Sequence, residues 1–428
     1  MQAASCVLVL SFAPPDRLAT PPMTDPRPRI PRSIWALGFV SLLMDVSSEL
    51  IHSLLPVFLA TTLGVSALTI GLIEGVAEAT ALIVKVFSGA LSDWWGRRKP
   101  LAVLGYGLGA LSKPLFALAD SAGLVIAARL IDRAGKGIRG APRDALVADL
   151  APPAIRGAAF GLRQSLDTVG AFIGPLLAMG LMLLWANDFR AVFWAAVVPA
   201  VLAVALLLFG VQEPAPPPAG KRTNPIRREN LVRLPGAYWW VVGIGAVFTL
   251  ARFSEAFLVL RANQGGLPVA YTPLVLIGMN VVYAAAAFPF GKLADTLSHR
   301  RLLGWGLALL IAADAALAAG HHWTWVWAGI TLWGLHLAMT QGLLATMIAN
   351  AAPGDLRGTA YGVFNLVCGV ALLVASVLAG LLWDRLGARY TFVGGAVFGA
   401  LALAAIVLQG RAPGKEKPPA QGGMAGGG

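Results

Sequence analysis

The sequence predicts an all-α membrane protein, with twelve transmembrane helices in two pseudo-symmetric six-helix halves. Three observations carry this. Apolar runs of membrane-spanning length recur along the chain. Positive charge gathers in alternate short segments between them. Motifs of the first half return in the same order about 200 residues later. Composition agrees: of 428 residues, 57% are hydrophobic and 13% charged, with a mean hydropathy of +0.72, unlike a soluble enzyme. A net charge of +12 would suit nucleic acid, but its placement between apolar runs points to a lipid bilayer, and no nucleic-acid partner is expected.

Residues 1–33 are rich in Pro and Arg and read as a cytoplasmic tail. Their apolar run, Ala3–Ala13, has no basic residue ahead of it and no small-residue cleavage site, so a signal peptide is not expected. Met23, followed by TDPRPRIPRS, marks an alternative start. The first half, 34–210, carries apolar runs near 34–60, 68–88, 101–119, 124–148, 160–185 and 191–210. A crossing needs about 20 residues, which these supply. Residues 211–236 form a polar, proline-rich, basic linker. The second half, 237–410, has runs near 237–260, 271–290, 302–319, 324–349, 359–383 and 390–409, and 411–428 is a short tail of low complexity.

Lys and Arg cluster at Arg27/Arg29/Arg32, Arg97/Arg98/Lys99, Lys221–Arg233, Arg300/Arg301 and Arg411/Lys415/Lys417, whereas the intervening loops hold only Arg190, Arg261, Arg385 and Arg389. This positive-inside asymmetry predicts a multi-pass protein of the cytoplasmic (inner) membrane with both termini and the linker inside. Cys6 and Cys368 suggest neither a disulfide framework nor a metal cluster.

The stretch Leu124–Asp149, LVIAARLIDRAGKGIRGAPRDALVAD, begins and ends like a membrane helix but is charged in the middle. At 100° per residue, Arg129, Asp132, Arg133, Lys136, Arg143 and Asp144 share a face about 120° wide, with Arg139 at its edge. Facing lipid, each central cation would cost roughly 2.5–3.5 kcal/mol, so this face must meet paired charges or a watery cavity. The alternative is a cytoplasmic loop. The repeat decides between them. Gly89-x-Leu91-x-Asp93 with Arg97-Arg98 returns as Gly291-x-Leu293-x-Asp295 with Arg300-Arg301, and Arg156-Gly157-x-Ala159-Phe160-Gly161 returns as Arg357-Gly358-x-Ala360-Tyr361-Gly362. Ser48-Glu49 has a looser echo in Ser254-Glu255. Two spans separate the copies in the second half, so the charged stretch must cross in the first.

Gly89-Ala-Leu-Ser-Asp93-Trp-Trp-Gly96-Arg97-Arg98 resembles the loop 2–3 signature of the major facilitator superfamily, G-x-L-x-D-x-x-G-R-R/K. The second copy is degraded, with one residue inserted and His299 at the glycine position. The resemblance covers about residues 34–410 and implies the major facilitator fold, a central site exposed alternately to each side, and a gating role for Gly89, Asp93, Gly96, Arg97, Arg98 and Asp295. The signature's Asp and Arg pair is expected to clamp the cytoplasmic ends of the first-half helices to the other half. Gly161, Gly170, Gly174 and Pro175 resemble the family's antiporter motif, with Ala178 and Met179 in place of its final glycine pair. Glycines so spaced let helices approach closely, and proline bends a span.

In this family spans 1, 4, 7 and 10 line the cavity. The resemblance therefore makes Arg129, Arg133, Lys136, Arg143, Arg252, His336 and Gln341 candidates for substrate binding, and Asp45, Glu49 and Glu255 for proton coupling. A desolvated acid beside a cation can load and release a proton, and Asp45 and Glu49, as like-charged neighbours, are expected to share one. The competing reading is a mesh of paired charges that only fixes packing. Titratable residues concentrate in the first half, leaving the second mainly apolar and aromatic. His336/Met339 and Met179/Met182 are soft enough for copper, but Met among apolar residues is more often packing, so no metal is assigned. No nucleophile–base pair, phosphate loop or zinc spacing appears, and neither enzyme activity nor a cofactor is expected. The expected function is proton-coupled efflux of a small organic compound by a monomer. The alternatives are an importer of a small organic anion and, further off, a metal transporter or a non-transporting sensor.

Overall fold

The computed structural model describes residues 30–95, 97–152, 155–213, 231–320, 322–353 and 356–409, and its regular structure is helical throughout. Numbered by crossing, the helices are α1 (Arg32–Thr62), α2 (Ala67–Trp95), α3 (Lys99–Ala117), α4 (Ala122–Leu150), α5 (Arg156–Leu184) and α6 (Phe189–Gly210). In the second half come α7 (Gly236–Leu250 and Ala256–Gln264), α8 (Pro273–Thr296), α9 (His299–Ala319), α10 (Trp323–Ala351), α11 (Arg357–Leu386) and α12 (Ala388–Gln409). Among the described residues, eight helices are long and apolar enough to cross a membrane on length and composition alone. α4 is not among them, because its middle is charged, yet its 29 residues form one helix of about 43 Å.

The ends follow local chemistry. Asp188 caps α6 by accepting from the backbone N–H groups of Arg190 (3.0 Å) and Ala191 (3.1 Å). Gly387, at φ 102°, turns the chain from α11 into α12. The apolar runs miss two features. α2 and α8 continue past the last apolar residues to Trp95 and Thr296, because the motif residues extend the helix. α7 breaks at residues 251–255, inside the run expected over 237–260, where Arg252, Ser254 and Glu255 interrupt the apolar pattern.

Packing repeats between halves. α1 packs on α5 and α6, and α3 on α4 and α6; α7 packs on α11 and α12, and α9 on α10 and α12. The halves meet chiefly where α2 lies along α11, and also where α5 meets α8. Call the end where α1 starts the near side and the other the far side. On the far side one apolar core is continuous across both halves, from Leu54, Phe58 and Phe193 to Phe257, Met279, Trp333 and Phe392. On the near side the cores are separate: Ile34, Tyr106, Leu146 and Leu207 in the first half, and in the second one cluster with Tyr238 and Ile348 and another with Leu303 and Ile406.

Candidate functional site

Between the halves, where the cores separate, lies a cavity of about 530 Å³. Its two walls differ in chemistry. From α1, α2, α4 and α5 come Asp45, Glu49, Glu78, Lys136, Arg143 and Asp167; from α7, α8 and α10 come Arg252, Glu255, Met279, Tyr283 and Leu337. The lining continues to Lys85, Asp144 and Arg163 near the near-side ends of their helices. A narrow extension of about 50 Å³ reaches toward the far side past His52 and Pro56.

The charges of α4 are mostly engaged. α2 and α4 run parallel, so the i,i+4 pair Glu74 and Glu78 meets the i,i+4 pair Arg129 and Arg133 as two rungs, at 2.5 Å and 3.1 Å. Asp132 points the other way, to Lys113 of α3 (2.6 Å) and His52 of α1 (3.4 Å), while Ser48 accepts from the same ammonium at 3.1 Å. Lys113 is fully buried, and Asp132 and Arg133 are each 1% exposed, so removing any one partner strands a charge in the core. Arg139 lies over the ring of Tyr106, 4.8 Å from its centroid. Arg143 binds Asp144 (3.2 Å), Ser41 (3.2 Å) and Asp167 (3.6 Å).

Two cavity-lining cations stand apart. Among the described residues, Lys136 and Arg252 make no ion pair within 4 Å, and both are half-buried. Lys136 sits within electrostatic reach of Asp45, Glu49 and Glu78 without closing on any of them. Glu49 and Glu255, the echoed pair of the sequence, line the cavity from opposite halves. Asp45 of α1 and Asp167 of α5 line the same cavity, within electrostatic reach of each other. Helical periodicity puts Asp45 and Glu49 on one face of α1, and the packing of α5 adds Asp167 as a further acid beside them. The described lining holds as many acids as bases, so the cation excess of α4 taken alone does not leave the cavity positive.

The other sequence-predicted positions divide. His336 is buried off the lining: its Nδ1 donates to the carbonyl of Gly306 at 2.7 Å and its ring stacks on Phe248. Met182 and Met339 lie in apolar cores. A Cβ at Gly170 would meet the Leu42 carbonyl at 2.5 Å and one at Gly174 the Glu49 Cβ at 2.6 Å, so these two glycines set the α1–α5 contact. Gly161 has nothing within 4 Å. Pro175 lies inside the continuous α5, and Gly89 approaches Ala141 of α4. Arg97 is exposed; Arg98 donates to Asp149 (2.6 Å) and Ser92 within the first half, and its backbone N–H to Glu213 (2.7 Å) at the start of the linker. Gly96 and the side chains of Asp93, Asp295 and Gln341 lie outside the described residues. One matched pair escaped the sequence reading. Lys99 caps the carbonyls of Leu208 and Val211 at the end of α6, and Arg300 caps those of Ile406 and Val407 at the end of α12.

The Major Facilitator Superfamily model matches residues 37–281 and 256–425. The chain belongs to this superfamily. It is 33% identical, over 86% of its length and 92% of the relative's, to an uncharacterized MFS-type transporter of Methanocaldococcus jannaschii. It is 24% identical to the inner membrane transport protein YajR of Escherichia coli K12, over 86% and 81% of the two chains. Its fold matches a bacterial homolog of the human lysosomal transporter Spinster, at TM-score 0.72 and 17% identity over 89% and 96% of the chains. It also matches the nucleoside transporter NupG, at TM-score 0.74 and 12% identity over 89% and 99%. As a member of the superfamily, this multi-pass membrane protein is a transporter of small molecules.

Proposed function

We propose that this transporter works by alternating access as a proton-coupled exporter of a small organic compound, in the cytoplasmic membrane, with the near side cytoplasmic. One observation carries the reading: a single apolar core joins the halves on the far side, while on the near side the cores are separate and the cavity lies between them. That is the arrangement of an inward-open state, and rocking the halves about the α2–α11 and α5–α8 contacts exchanges it for its opposite. The positive-inside pattern supports the orientation. The close α1–α5 contact at Gly170 and Gly174 supports the antiporter reading.

Within the cavity, Lys136 and Arg252 come from different halves and hold no ion-pair partner among the described residues. An acidic group on the substrate would bridge them and so favour closure. The Met279, Tyr283 and Leu337 wall suits an apolar body. The same two cations favour a second reading, import of a small organic anion, which differs in direction rather than in site. Proton coupling is assigned to Asp45 with Asp167, and to Glu49 and Glu255, where protonation would release the nearby cations.

The test is a library of small organic compounds presented to proteoliposomes containing a pH-sensitive dye. A compound that evokes proton movement with wild type, but not with Lys136→Gln, supports the reading, and the sign of the dye response separates exchange from co-transport. Compounds that cross through the protein without moving protons would overturn the coupling.

A further inference from the structure

Asp314 of α9 plays no part in the cavity, yet it is the most isolated acid described. It is fully buried, neither carboxyl oxygen has a hydrogen-bond partner among the described residues, and it lies in the far-side core that spans the halves. Its surroundings are apolar. A Cβ placed on Gly395 of α12 would meet Asp314 Oδ2 at 2.5 Å and the ring of Phe253 at 2.9 Å, so a carboxyl group and an aromatic ring close over this glycine.

The charged and titratable groups on the helices packed around it are engaged elsewhere. Arg252 and Glu255 face the cavity. His336 is held by Gly306, about two turns along α9. Arg261 donates to the carbonyls of Leu317 (3.0 Å) and Gly320 (2.6 Å), and Arg389 and Tyr390 are exposed at the start of α12. An ionised carboxylate there would have neither solvent nor counter-charge, whereas the neutral acid needs neither.

Its position gives that proton a consequence. Phe253 belongs to the break in α7, between Arg252 and Ser254, and packs edge-on against Phe257. Phe257 in turn touches the position of Gly71 on α2, in the other half. On the alternating-access reading, opening the far side would pull Phe257 away from α2 and loosen the aromatic shell over Asp314, letting water in. We propose that Asp314 is a second proton-binding site of the transporter, loaded in this far-closed conformation and emptied when the far side opens. Proton binding at Asp314 then favours the far-closed state, because a ligand shifts an equilibrium toward the state that binds it better. The consequence rests on the alternating-access reading; the bound proton does not.

Two measurements on the full chain test this without a known substrate. In infrared spectra of protein carrying carboxyl-labelled aspartate, wild type should show a protonated-aspartate band at neutral pH that exchanges slowly in deuterium oxide, and Asp314→Asn should lose it. Asp45 and Asp167 line the cavity, so a proton on either should exchange fast, which keeps the two signals apart. Absence of a slow band from wild type overturns the proposal even if the variant does not fold.

The second measurement is the spin-label distance between Thr62→Cys and Gln264→Cys, at the far ends of α1 and α7, with Cys6 and Cys368 replaced. The wild-type long-distance population should grow as pH rises, and Asp314→Asn, which mimics the loaded acid, should hold the short distance across the range. An Asp314→Asn protein that keeps the full pH response overturns the proposal. A wild type whose distances ignore pH does so too, while the dye assay still judges the transport reading separately.

Discussion

The two halves share a fold and helix packing but hold their interiors together by opposite means. In the first, α4 is pinned by Arg129–Glu74, Arg133–Glu78 and Lys113–Asp132, three buried ion pairs reaching two neighbouring helices. In the second, the corresponding α10 carries Trp333 into a shell with Phe253, while Phe392 of α12 and Phe257 of α7 complete it. Dispersion contacts are individually small and summed over many atoms, so losing one neighbour removes only part of what holds an aromatic core. Buried ion pairs are few and intolerant of a missing partner. The first half is therefore the rigid wall that presents charge to the cavity. The second, with the break in α7, is the half whose interior can adjust.

The sharpest way to break that comparison is to remove the acid of the most buried pair. Asp132→Ala leaves Lys113 fully buried with no counter-charge, and should cost about 3–5 kcal/mol of stability. Pairing it with Lys113→Met should restore most of the loss, because an apolar pair of similar volume is often as stable as the ion pair. Thermal unfolding of the purified variants in detergent checks this. If the double variant is no better than the single, the pair is not the unit that holds α3 to α4.

Next in size is the contrast between two cations one turn apart on α4. Arg133, 1% exposed and bound to Glu78, belongs to the mesh: Arg133→Gln should lose stability without ligand. Lys136, half-buried on the cavity and without an ion-pair partner among the described residues, should lose affinity instead. For Lys136→Gln the expected loss is about 1.5–3 kcal/mol of binding, on the order of tenfold to hundredfold in Kd, at nearly wild-type stability. Isothermal binding of a compound found in the dye assay, alongside unfolding curves of both variants, separates the roles. Equal behaviour of the two would erase the distinction between wall and site.

Much of this was legible in the sequence, and the limits have physical causes. The crossing of α4 follows from the register of the repeats, since two copies of an inside loop need an even number of spans between them. The chemical asymmetry of the halves follows from counting charges along the spans. The partners of those charges do not. Periodicity gives the face a residue occupies, not the helix it meets, so Arg133 reads like Lys136, and the approach of Asp167 on α5 to the face of Asp45 and Glu49 is not visible. His336 shows the same limit, because whether a residue on a lining helix faces the cavity or Phe248 depends on the helix's rotation. The break at 251–255 is marked by Arg252, Ser254 and Glu255 rather than by Gly or Pro, and polar residues inside a span read as lining positions before they read as a break.

Glycine substitution along α5 gives a smaller effect, set by geometry. Gly170→Val should push α5 away from the Leu42 carbonyl and cost about 1–3 kcal/mol, whereas Gly180→Ala, with nothing within 4 Å, should be nearly silent. Unfolding curves of the two, compared in the same detergent, check that the seam with the rigid wall is local to the level of Gly170 and Gly174. An equal penalty at Gly180 would mean that α5 tolerates no added bulk anywhere.

The smallest effect concerns the contact that ties the halves together outside both cores. Asp384, near the end of α11, accepts hydrogen bonds from the backbone N–H groups of Ala67 (3.0 Å) and Leu68 (2.8 Å), the first residues of α2 in the other half. A carboxylate there satisfies donors that a helix start otherwise leaves unpaired and lies at the positive end of its dipole. Cap and helix belong to different halves, so on the proposed alternating-access cycle opening the far side would break these bonds. Losing a cap costs about 1 kcal/mol. Asp384→Ala should therefore leave each half intact and move the far-closed to far-open ratio by roughly fivefold. The expected readout is a larger long-distance population between spin labels at Thr62→Cys and Gln264→Cys, with little change in unfolding temperature. A variant that unfolds earlier but keeps the wild-type distance distribution would make Asp384 an ordinary cap rather than a latch, and would leave the α2–α11 packing as the far-side contact that sets the balance.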